Sequence, residues 1–544
     1  MDLGFILLAT AIIIISCIAF NKLTYRFGIP MLLAFIVVGM LFGVDGVVKI
    51  HFDDFGFAES ICSVALIFIM FYGGFSTSWK AARPIAPKAI LLSSLGTILT
   101  ALLVGVFCHL ALGLDFLKSL LIGSVISSTD AASVFSILRS RKLNLRYNTA
   151  SVLEMESGSN DPFAYMLTVI CLTLMGTSGG VDIWNMLYMI FAQVVYGAGV
   201  GVLIACLGYI VFKKFKFDQS GFDSIFLVAL SLTSYAISSL IGGNGFLAVY
   251  ITGICLGNSK FPKNKKNMIN FFDGIVGLLQ MVLFFLLGLL ATPSQMPSVA
   301  PIALVIALFL TFVARPVSVF AIMSPFRSNF KQQLLVSWSG LRGAASIVFA
   351  IMAIIRGSSI VGVETTFFID VFNIVFLIVL FSILLQGTLI PPIANWLGLV
   401  DKYGDVMRTF NDYVEEVPVQ FIQFSVTENH PWINQPIKDI VLPPSCILVL
   451  LEREGKKIIP NGRTIINEGD TLILSGNATD TTGGISLSEK VVSQDDELHD
   501  KRIYELPESD DLIIMINRAD KIIIPRGSTK LKVGDVLVIN NITQ

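Results

Sequence analysis

The first part of the chain, up to about Leu399, alternates between long apolar stretches and short polar loops. The apolar stretches run for roughly 17 to 28 residues, the length that an α-helix needs to cross the hydrocarbon core of a bilayer. This pattern predicts about thirteen transmembrane helices. They begin near Leu3, Ile29, Ala58, Lys88, Phe116, Ala150, Ile183, Phe222, Gly245, Met268, Val299, Gln332 and Thr365.

The basic residues in the loops predict how these helices are oriented. One set of alternate loops carries about eighteen Lys and Arg residues, whereas the other carries little beyond Lys49 and Arg356. Because loops rich in Lys and Arg face the cytoplasm, the N-terminus is predicted to lie outside. An odd number of helices then leaves the C-terminal part of the chain in the cytoplasm.

The composition agrees with a membrane protein and argues against several other classes. Hydrophobic residues make up 54% of the chain and charged residues only 14%, with a mean hydropathy of +0.77 and a net charge of -1. A soluble enzyme, a disordered chain and a nucleic-acid-binding protein are therefore excluded. The seven cysteines include no CxxC pair, and no catalytic His, metal-ligand set or phosphate-binding loop is present, so we expect no enzymatic activity.

The sixth predicted helix contains an unusual cluster of polar residues, Glu154-Met-Glu156-Ser157-Gly-Ser-Asn160-Asp161-Pro162. A carboxylate at the centre of a bilayer costs about 2.5 to 3.5 kcal/mol on insertion scales, so it persists only with a function or a partner. Ser157 and Asp161 are four residues apart and share one face of the helix, and Glu156 and Asn160 share the adjacent face. The cluster therefore predicts an ion-handling site.

Two other helices carry residues that favour a break. The fifth contains Ser127-Ser128-Thr129-Asp130, whose side chains compete for backbone hydrogen bonds. The twelfth contains Gly340-Leu-Arg342-Gly343, where the buried arginine requires an acidic partner. Their positions correspond if helices one to six and eight to thirteen are inverted repeats, and paired interruptions of this kind indicate the substrate site of a transporter.

The chain changes character beyond Asp401, and a domain boundary is predicted between about 400 and 415. The segment Lys457 to Leu474 matches Ile522 to Ile539, with Gly469-Asp470 aligned with Gly534-Asp535. Each copy predicts short alternating strands, a Pro/Gly turn and a strand closed by Gly-Asp. The predicted units are residues 414–480 and 488–544, joined by a linker at 479–489.

Together, Thr129-Asp130, the sixth-helix cluster and the Gly340-Leu-Arg342-Gly343-Ala segment resemble the monovalent cation/proton antiporters of the NhaP type, over about residues 1–400. This resemblance implies a polytopic α-helical protein with the sodium/proton-antiporter fold, in which a dimerisation part flanks a six-helix core with two crossing unwound helices. The tail resembles TrkA C-terminal (RCK-C) domains, so a cytoplasmic α+β tail is expected. The combination is similar to bacterial potassium/proton antiporters of the cell membrane.

The resemblance also implies roles for individual residues. Asp161 matches the aspartate that carries the ion or the proton, and Asn160 matches its asparagine partner. Asp130, Ser157 and the carbonyl of Thr129 match positions that help to hold the monovalent cation. In addition, Glu156 and Arg342 match a structural ion pair between the sixth and twelfth helices.

One position departs from the family pattern. Where many relatives have an acidic residue on the third helix, this chain has Tyr72. The loss of one carboxylate leaves the choice between potassium and sodium open.

These residues predict an electroneutral exchange of one monovalent cation for one proton, because burial disfavours the Asp161 anion and a bound cation favours it. The expected substrates are potassium or sodium and the proton, and the expected surroundings are membrane lipid and a second copy of the chain, with no nucleic acid. No cofactor is expected beyond a small nucleotide, cyclic dinucleotide or cation at the tail. The alternatives are a sodium/proton antiporter and an RCK-gated potassium channel, and the missing TVGYG-like filter argues against the channel.

Overall fold

The computed structural model describes residues 3–27, 31–140, 143, 145–177, 183–215, 221–260, 265–360, 363–400, 419–427, 430–442, 446–453, 456–477, 486–492, 498–506, 512–518, 521–523, 525 and 527–541. The chain divides into two compact units, Met1–Glu415 and Glu416–Gln544. Residues 401–418 lie outside the described residues, and so does most of the predicted boundary between about 400 and 415.

The first unit is helical throughout its described part. Its helices are α1 (Leu3–Phe27), α2 (Met31–Phe42), α3 (Phe55–Ser76), α4 (Trp79–Ala82), α5 (Ala86–Leu91), α6 (Thr97–Leu112), α7 (Phe116–Val125), α8 (Ala131–Ser140), α9 (Thr149–Gly176), α10 (Ile183–Lys214), α11 (Phe222–Leu240), α12 (Gly245–Gly257), α13 (Lys265–Leu290), α14 (Met296–Phe309), α15 (Arg315–Met323), α16 (Phe330–Trp338), α17 (Ala344–Gly357), α18 (Thr365–Phe381) and α19 (Thr388–Trp396).

Several of these helices are parts of longer segments. Three π-helical turns, Leu92–Gly96, Leu310–Ala314 and Ser382–Gly387, join α5 to α6, α14 to α15 and α18 to α19. Short breaks separate α7 from α8 and α16 from α17. With these joined, and the four-residue α4 set aside, the described residues form thirteen segments that begin within three residues of the predicted starts.

Seven of these segments are long and apolar enough to cross a membrane by length and composition. Most of the others are short or are interrupted by a break or by polar residues. The number of membrane crossings therefore stays a prediction, although the helical segments themselves are those that the hydrophobic pattern predicted.

Both breaks fall where local chemistry disfavours a helix. Residues 127–130 are non-helical after α7, and residues 340–343 are non-helical before α17. The hydroxyl and carboxylate side chains of the first segment compete with the helical hydrogen bonds, and the two glycines of the second have a high conformational entropy cost in a helix. By contrast, α9 continues through Pro162 without interruption.

The second unit contains two four-stranded antiparallel sheets. Their strands are β1 (Val419–Ser425), β2 (Ile447–Arg453), β3 (Lys456–Ile458) and β4 (Thr471–Asn477), then β5 (Ser486–Val491), β6 (Leu512–Arg518), β7 (Lys521–Ile523) and β8 (Val536–Asn541). The order is β1-β4-β2-β3 in the first sheet and β5-β8-β6-β7 in the second. The internal repeat is therefore a repeat of structure.

Two details of the tail differ from the prediction. The Gly-Asp pairs come before the last strand of each sheet, because Gly469 and Gly534 adopt positive φ angles of 80° and 86° in the turns that lead into β4 and β8. In addition, β5 begins at Ser486, inside the predicted linker, whose residues 479–485 lie outside the described residues. The described part of the tail contains strands and short 3₁₀ turns but no α-helix.

Each sheet contains an equivalent ion pair between a buried aspartate and a partly exposed arginine, which the sequence pattern did not single out. Arg453 contacts both carboxylate oxygens of Asp470 at 2.7 Å, and Arg518 contacts both oxygens of Asp535 at 2.7 Å. The two aspartates are fully buried. The hydrogen bonds from Arg518 hold the pKa of the Asp535 carboxyl below its ordinary value.

Replacing Arg518 by Met should destabilise the second sheet by about 1.5 to 3 kcal/mol, because Asp535 then loses its charged donor. Faster amide hydrogen exchange in β8 of the full-length protein would measure this loss. The contribution of the pair should be complete above the ordinary aspartate pKa of about 3.9 and should decline as the pH falls through the lowered native pKa.

The matched control is Lys530→Met. Lys530 pairs with Asp500 at 2.9 Å, but the two side chains are 47% and 66% exposed. Such a surface pair contributes about 0 to 1 kcal/mol, so exchange in β8 should barely change. Equal effects of the two substitutions would contradict the assignment of Arg518 as the pair that stabilises this sheet.

Candidate cation site at the crossing of two interrupted helices

The two breaks cross each other and are hydrogen-bonded together. The backbone N–H of Asp130 donates to the carbonyl of Leu341 at 2.8 Å. The Arg342 guanidinium donates from Nη1 to the carbonyls of Ser127 and Ser128, each at 2.7 Å. Gly343 lies so close to Asp130 that a Cβ atom would overlap that side chain. The crossing therefore requires glycine at this position.

At the crossing, the positive Arg342 lies at a helix C-terminus and the acidic Asp130 lies at two helix N-termini. The carbonyls that Arg342 binds follow the C-terminal end of α7, where the helix dipole is negative. Asp130 directly precedes α8, and Ser133 of that helix donates to its carboxylate from Oγ at 2.6 Å. The same carboxylate lies beside Gly343, which directly precedes α17. Asp130 thus faces two positive helix ends.

The polar cluster of α9 packs against the first break. The Ser157 hydroxyl donates to the carbonyl of Thr129 at 2.6 Å, and the Asn160 amide donates to the Thr129 hydroxyl at 2.5 Å. The Ser128 hydroxyl donates to the carboxylate of Asp161. Asp161 is 8% exposed and Asn160 is fully buried. The residues predicted to form the site are therefore brought together around residues 128–130.

The structure differs from the predicted ion pair between Glu156 and Arg342. Glu156 instead pairs with Arg315, whose Nη1 lies 2.6 Å from Oε1, and both side chains are buried. Gly340 makes room for the Arg315 guanidinium, since a Cβ atom at that position would lie 2.6 Å from Nε. Arg342 instead donates to the carbonyls of Ser127 and Ser128, which follow the C-terminal end of α7.

Sequence reasoning missed Arg315, although a signal was present. It is an arginine within the apolar segment Met296–Met323 and directly follows the π-helical turn Leu310–Ala314. A charged residue in such a segment indicates a buried partner. Sequence reasoning also did not single out Gln386, which is hydrogen-bonded to Ser382, the acceptor of the Arg342 backbone N–H in the second break.

Tyr72, the position at which the sequence was expected to depart from the family pattern, lies close to a carboxylate from another helix. Its hydroxyl donates to Asp273 of α13 at 3.0 Å. The third helix therefore contributes a phenol at this place, and the nearby negative charge comes from α13.

The corrected ion pair can be tested with double variants. Arg315→Met alone should destabilise the protein by about 3 to 5 kcal/mol, because it leaves the buried Glu156 carboxylate unpaired. Combining it with Glu156→Gln should restore much of that loss. The measurement is thermal unfolding of the purified protein in detergent.

The comparison variants are Arg342→Met with and without Glu156→Gln. Removing the Glu156 charge should not rescue the loss of Arg342, because Arg342 binds backbone carbonyls. Rescue in this second pair and none in the first would show that the partner of Glu156 is Arg342.

Comparisons with known proteins agree with this architecture. The family model "Sodium/hydrogen exchanger, transmembrane" matches residues 8–396, and the model "TrkA-C domain" matches residues 421–481. The K(+)/H(+) antiporter NhaP of Alkalimonas amylolytica is 35% identical over 457 residues, covering 84% of this chain and 78% of that protein. The K(+)/H(+) antiporter NhaP2 of Shewanella sp. (strain MR-4) is 32% identical over 452 residues, covering 82% and 76%.

Among solved structures, the sodium proton antiporter MjNhaP1 from Methanocaldococcus jannaschii at pH 8 matches with a TM-score of 0.63. The match has 22% sequence identity and covers 71% of this chain and all of that chain. The match shows a shared fold. Within the structure described above, the two interrupted helices cross as predicted. The chain therefore belongs to the sodium/hydrogen exchanger family of transmembrane proteins.

Proposed function

We propose that this protein exchanges a monovalent cation, preferentially potassium, for protons by alternating access. The observation that carries the proposal is the buried Asp161 carboxylate at the crossing of two interrupted helices. Relatives named as K(+)/H(+) antiporters, 31% to 35% identical over more than four fifths of the chain, support potassium as the cation.

The proposed cation ligands are oxygens that surround the first break. They comprise the carboxylates of Asp161 and Asp130, the hydroxyl of Ser157 and the carbonyl of Thr129. Asn160 adds support, because its buried Oδ1 has no hydrogen-bond partner among the described residues. A buried oxygen without a donor is costly unless an ion or water satisfies it, so this oxygen favours a cation nearby.

The charges around the site leave one carboxylate free to change state. Glu156 is neutralised by Arg315, and Asp130 is compensated by the two helix N-termini that it faces. With those pairs fixed, Asp161 holds either a proton or a cation, because a bare charge at this depth is unfavourable. Each loaded state then carries one positive charge, and the exchange is electroneutral.

Alternating access requires one side of Asp161 to be closed. Tyr165, one helical turn beyond Asp161, packs against Phe246 with ring centroids 5.1 Å apart and against Phe349 at 5.9 Å. Tyr235 packs on Phe246 at 5.1 Å. This aromatic cluster supports a seal on the side of the site toward Gly176, which is the outer side in the predicted orientation.

A sodium/proton antiporter is the second candidate, and the description of the matching family favours it. On the third helix, position 72 carries a phenol and no carboxylate of its own. The carboxylate beside it belongs to Asp273 of α13. We give potassium precedence because the relatives that cover most of the chain are named for it.

The tail is proposed to regulate transport. Its first sheet lies within the matched TrkA-C domain, and the repeated strand order supports a second unit of the same kind at 488–544. The proposed signal is a small nucleotide, a cyclic dinucleotide or a cation.

We further propose a homodimer in the lipid of the bacterial cell membrane, with the N-terminus outside and the tail in the cytoplasm.

Replacing Asp161 by Asn should abolish cation/proton exchange, because the amide can neither take up a proton nor carry the compensating charge. The measurement is the pH change in dye-loaded proteoliposomes after addition of potassium or sodium chloride. Asp370→Asn is the control, since Asp370 is an exposed carboxylate on α18, and it should exchange normally. Exchange by the Asp161 variant at the wild-type rate would refute the proposal.

Electroneutrality gives a separate expectation. The exchange rate in the same vesicles should be unchanged when a membrane potential is imposed in either direction. A rate that rises steeply with potential would show that more than one charge moves per cycle or that the two loaded states differ in charge.

A further inference from the structure

The second break is held by a polar network that lies outside the crossing itself. The backbone N–H of Arg342 donates to Ser382 Oγ at 3.0 Å, and the Ser382 hydroxyl donates to Gln386 Oε1. The amide of Gln386 then donates to Thr311 Oγ1 at 3.0 Å. At the other side of the break, Trp338 Nε1 donates to the carbonyl of Gln386 at 3.1 Å.

The network is presented by two of the three π-helical turns. Ser382 and Gln386 lie in the turn Ser382–Gly387, and Thr311 lies in the turn Leu310–Ala314. Single π-helical turns occur frequently at functional sites. Ser382 and Gln386 are both buried, and each has its hydrogen bonds satisfied inside apolar segments. A satisfied buried network of this kind specifies one geometry.

The break depends on such an acceptor. Arg342 lies in the non-helical segment before α17, so its N–H has no partner within the helix. Ser382 satisfies this donor from another helix. The neighbouring carbonyl of Leu341 accepts from Asp130, and the Arg342 side chain binds the carbonyls of Ser127 and Ser128. The peptide group between Leu341 and Arg342 therefore links the two sides: Ser382 accepts from its N–H, and its carbonyl accepts from the backbone of Asp130. A shift of this peptide group would move Asp130 and its carboxylate.

We propose that Ser382, Gln386 and Thr311 are positioning residues for the cation site, which set its affinity by holding residues 340–343 in place. They touch neither Asp161 nor Thr129 in any hydrogen bond of the described residues, so they act through Arg342 and Leu341. This inference rests on the proposed exchange of a cation for protons at Asp161.

Removal of the network should weaken cation binding without stopping transport. Ser382→Ala and Gln386→Met should each raise the KM for potassium by about three- to tenfold, the range expected when one buried hydrogen bond is lost. Vmax should stay within about twofold of the wild type. Ser382→Thr, which keeps the hydroxyl, should restore a KM close to that of the wild type.

Ser93→Ala is the matched control. Ser93 is also a fully buried serine in a π-helical turn, but its hydroxyl donates only to the carbonyl of Ile90 in its own segment, at 3.0 Å. Its KM should not change. A double variant Ser382→Ala/Gln386→Met should resemble the single variants, because the two side chains act in one chain of hydrogen bonds.

The assay is initial exchange rate against potassium chloride concentration in dye-loaded proteoliposomes of the full-length protein, with thermal unfolding measured in parallel. Lower Vmax and lower stability with an unchanged KM would show a merely structural role and overturn the proposal. A rise in KM for Ser93→Ala as large as that for Ser382→Ala would overturn it too.

The design separates this inference from the proposed function. If the wild type shows no cation-dependent exchange, the proposed function itself is wrong. If the wild type exchanges and Asp161→Asn does not, yet the network variants keep the wild-type KM, only the positioning role is wrong. If Gln386→Met does not fold, Thr311→Val is a milder variant, because it removes only the hydroxyl that accepts from the Gln386 amide. An unchanged KM for Thr311→Val would contradict the proposal.

Discussion

The antiporter unit depends on the hydrogen-bonded crossing of two interrupted helices. Each break exposes backbone groups inside an apolar environment, where an unsatisfied N–H or carbonyl is costly. The structure satisfies them mutually: Asp130 donates to Leu341, and Arg342 donates to Ser127 and Ser128. Once the crossing is fixed, the oxygens of residues 128–130 lie beside α9. An ion site therefore arises from the same constraint that stabilises the breaks.

The buried charges around this crossing divide into fixed and exchangeable ones. Arg315 with Glu156 and Arg342 with the end of α7 are fixed, and Asp130 faces two helix N-termini. Among the described residues, the carboxylate of Asp161 accepts a side-chain hydrogen bond only from the hydroxyl of Ser128. A group with a weaker fixed partner is the one that can accept a proton or a cation in turn. This division underlies the proposed one-for-one exchange.

The sequence predicted the helical segments, both breaks and the cluster around Asp161, because apolar length and misplaced polar residues are local signals. It did not predict that Glu156 pairs with Arg315, since the pairing depends on a π-helical turn and on the space left by Gly340. It did not single out Gln386 either, because the role of a buried amide depends on which residues the fold places beside it. In the tail, the Gly-Asp repeat was visible, but the arginines that bind its aspartates lie 17 residues earlier in the chain.

The central physical idea is that proton and cation compete for the same buried acid. The most direct measurement is proton release when potassium chloride is added to the purified protein in weakly buffered detergent, over a series of pH values. The wild type should release up to one proton for each potassium ion bound, and Asp161→Asn should release none. Potassium binding by the wild type with no proton release at any pH would contradict the idea.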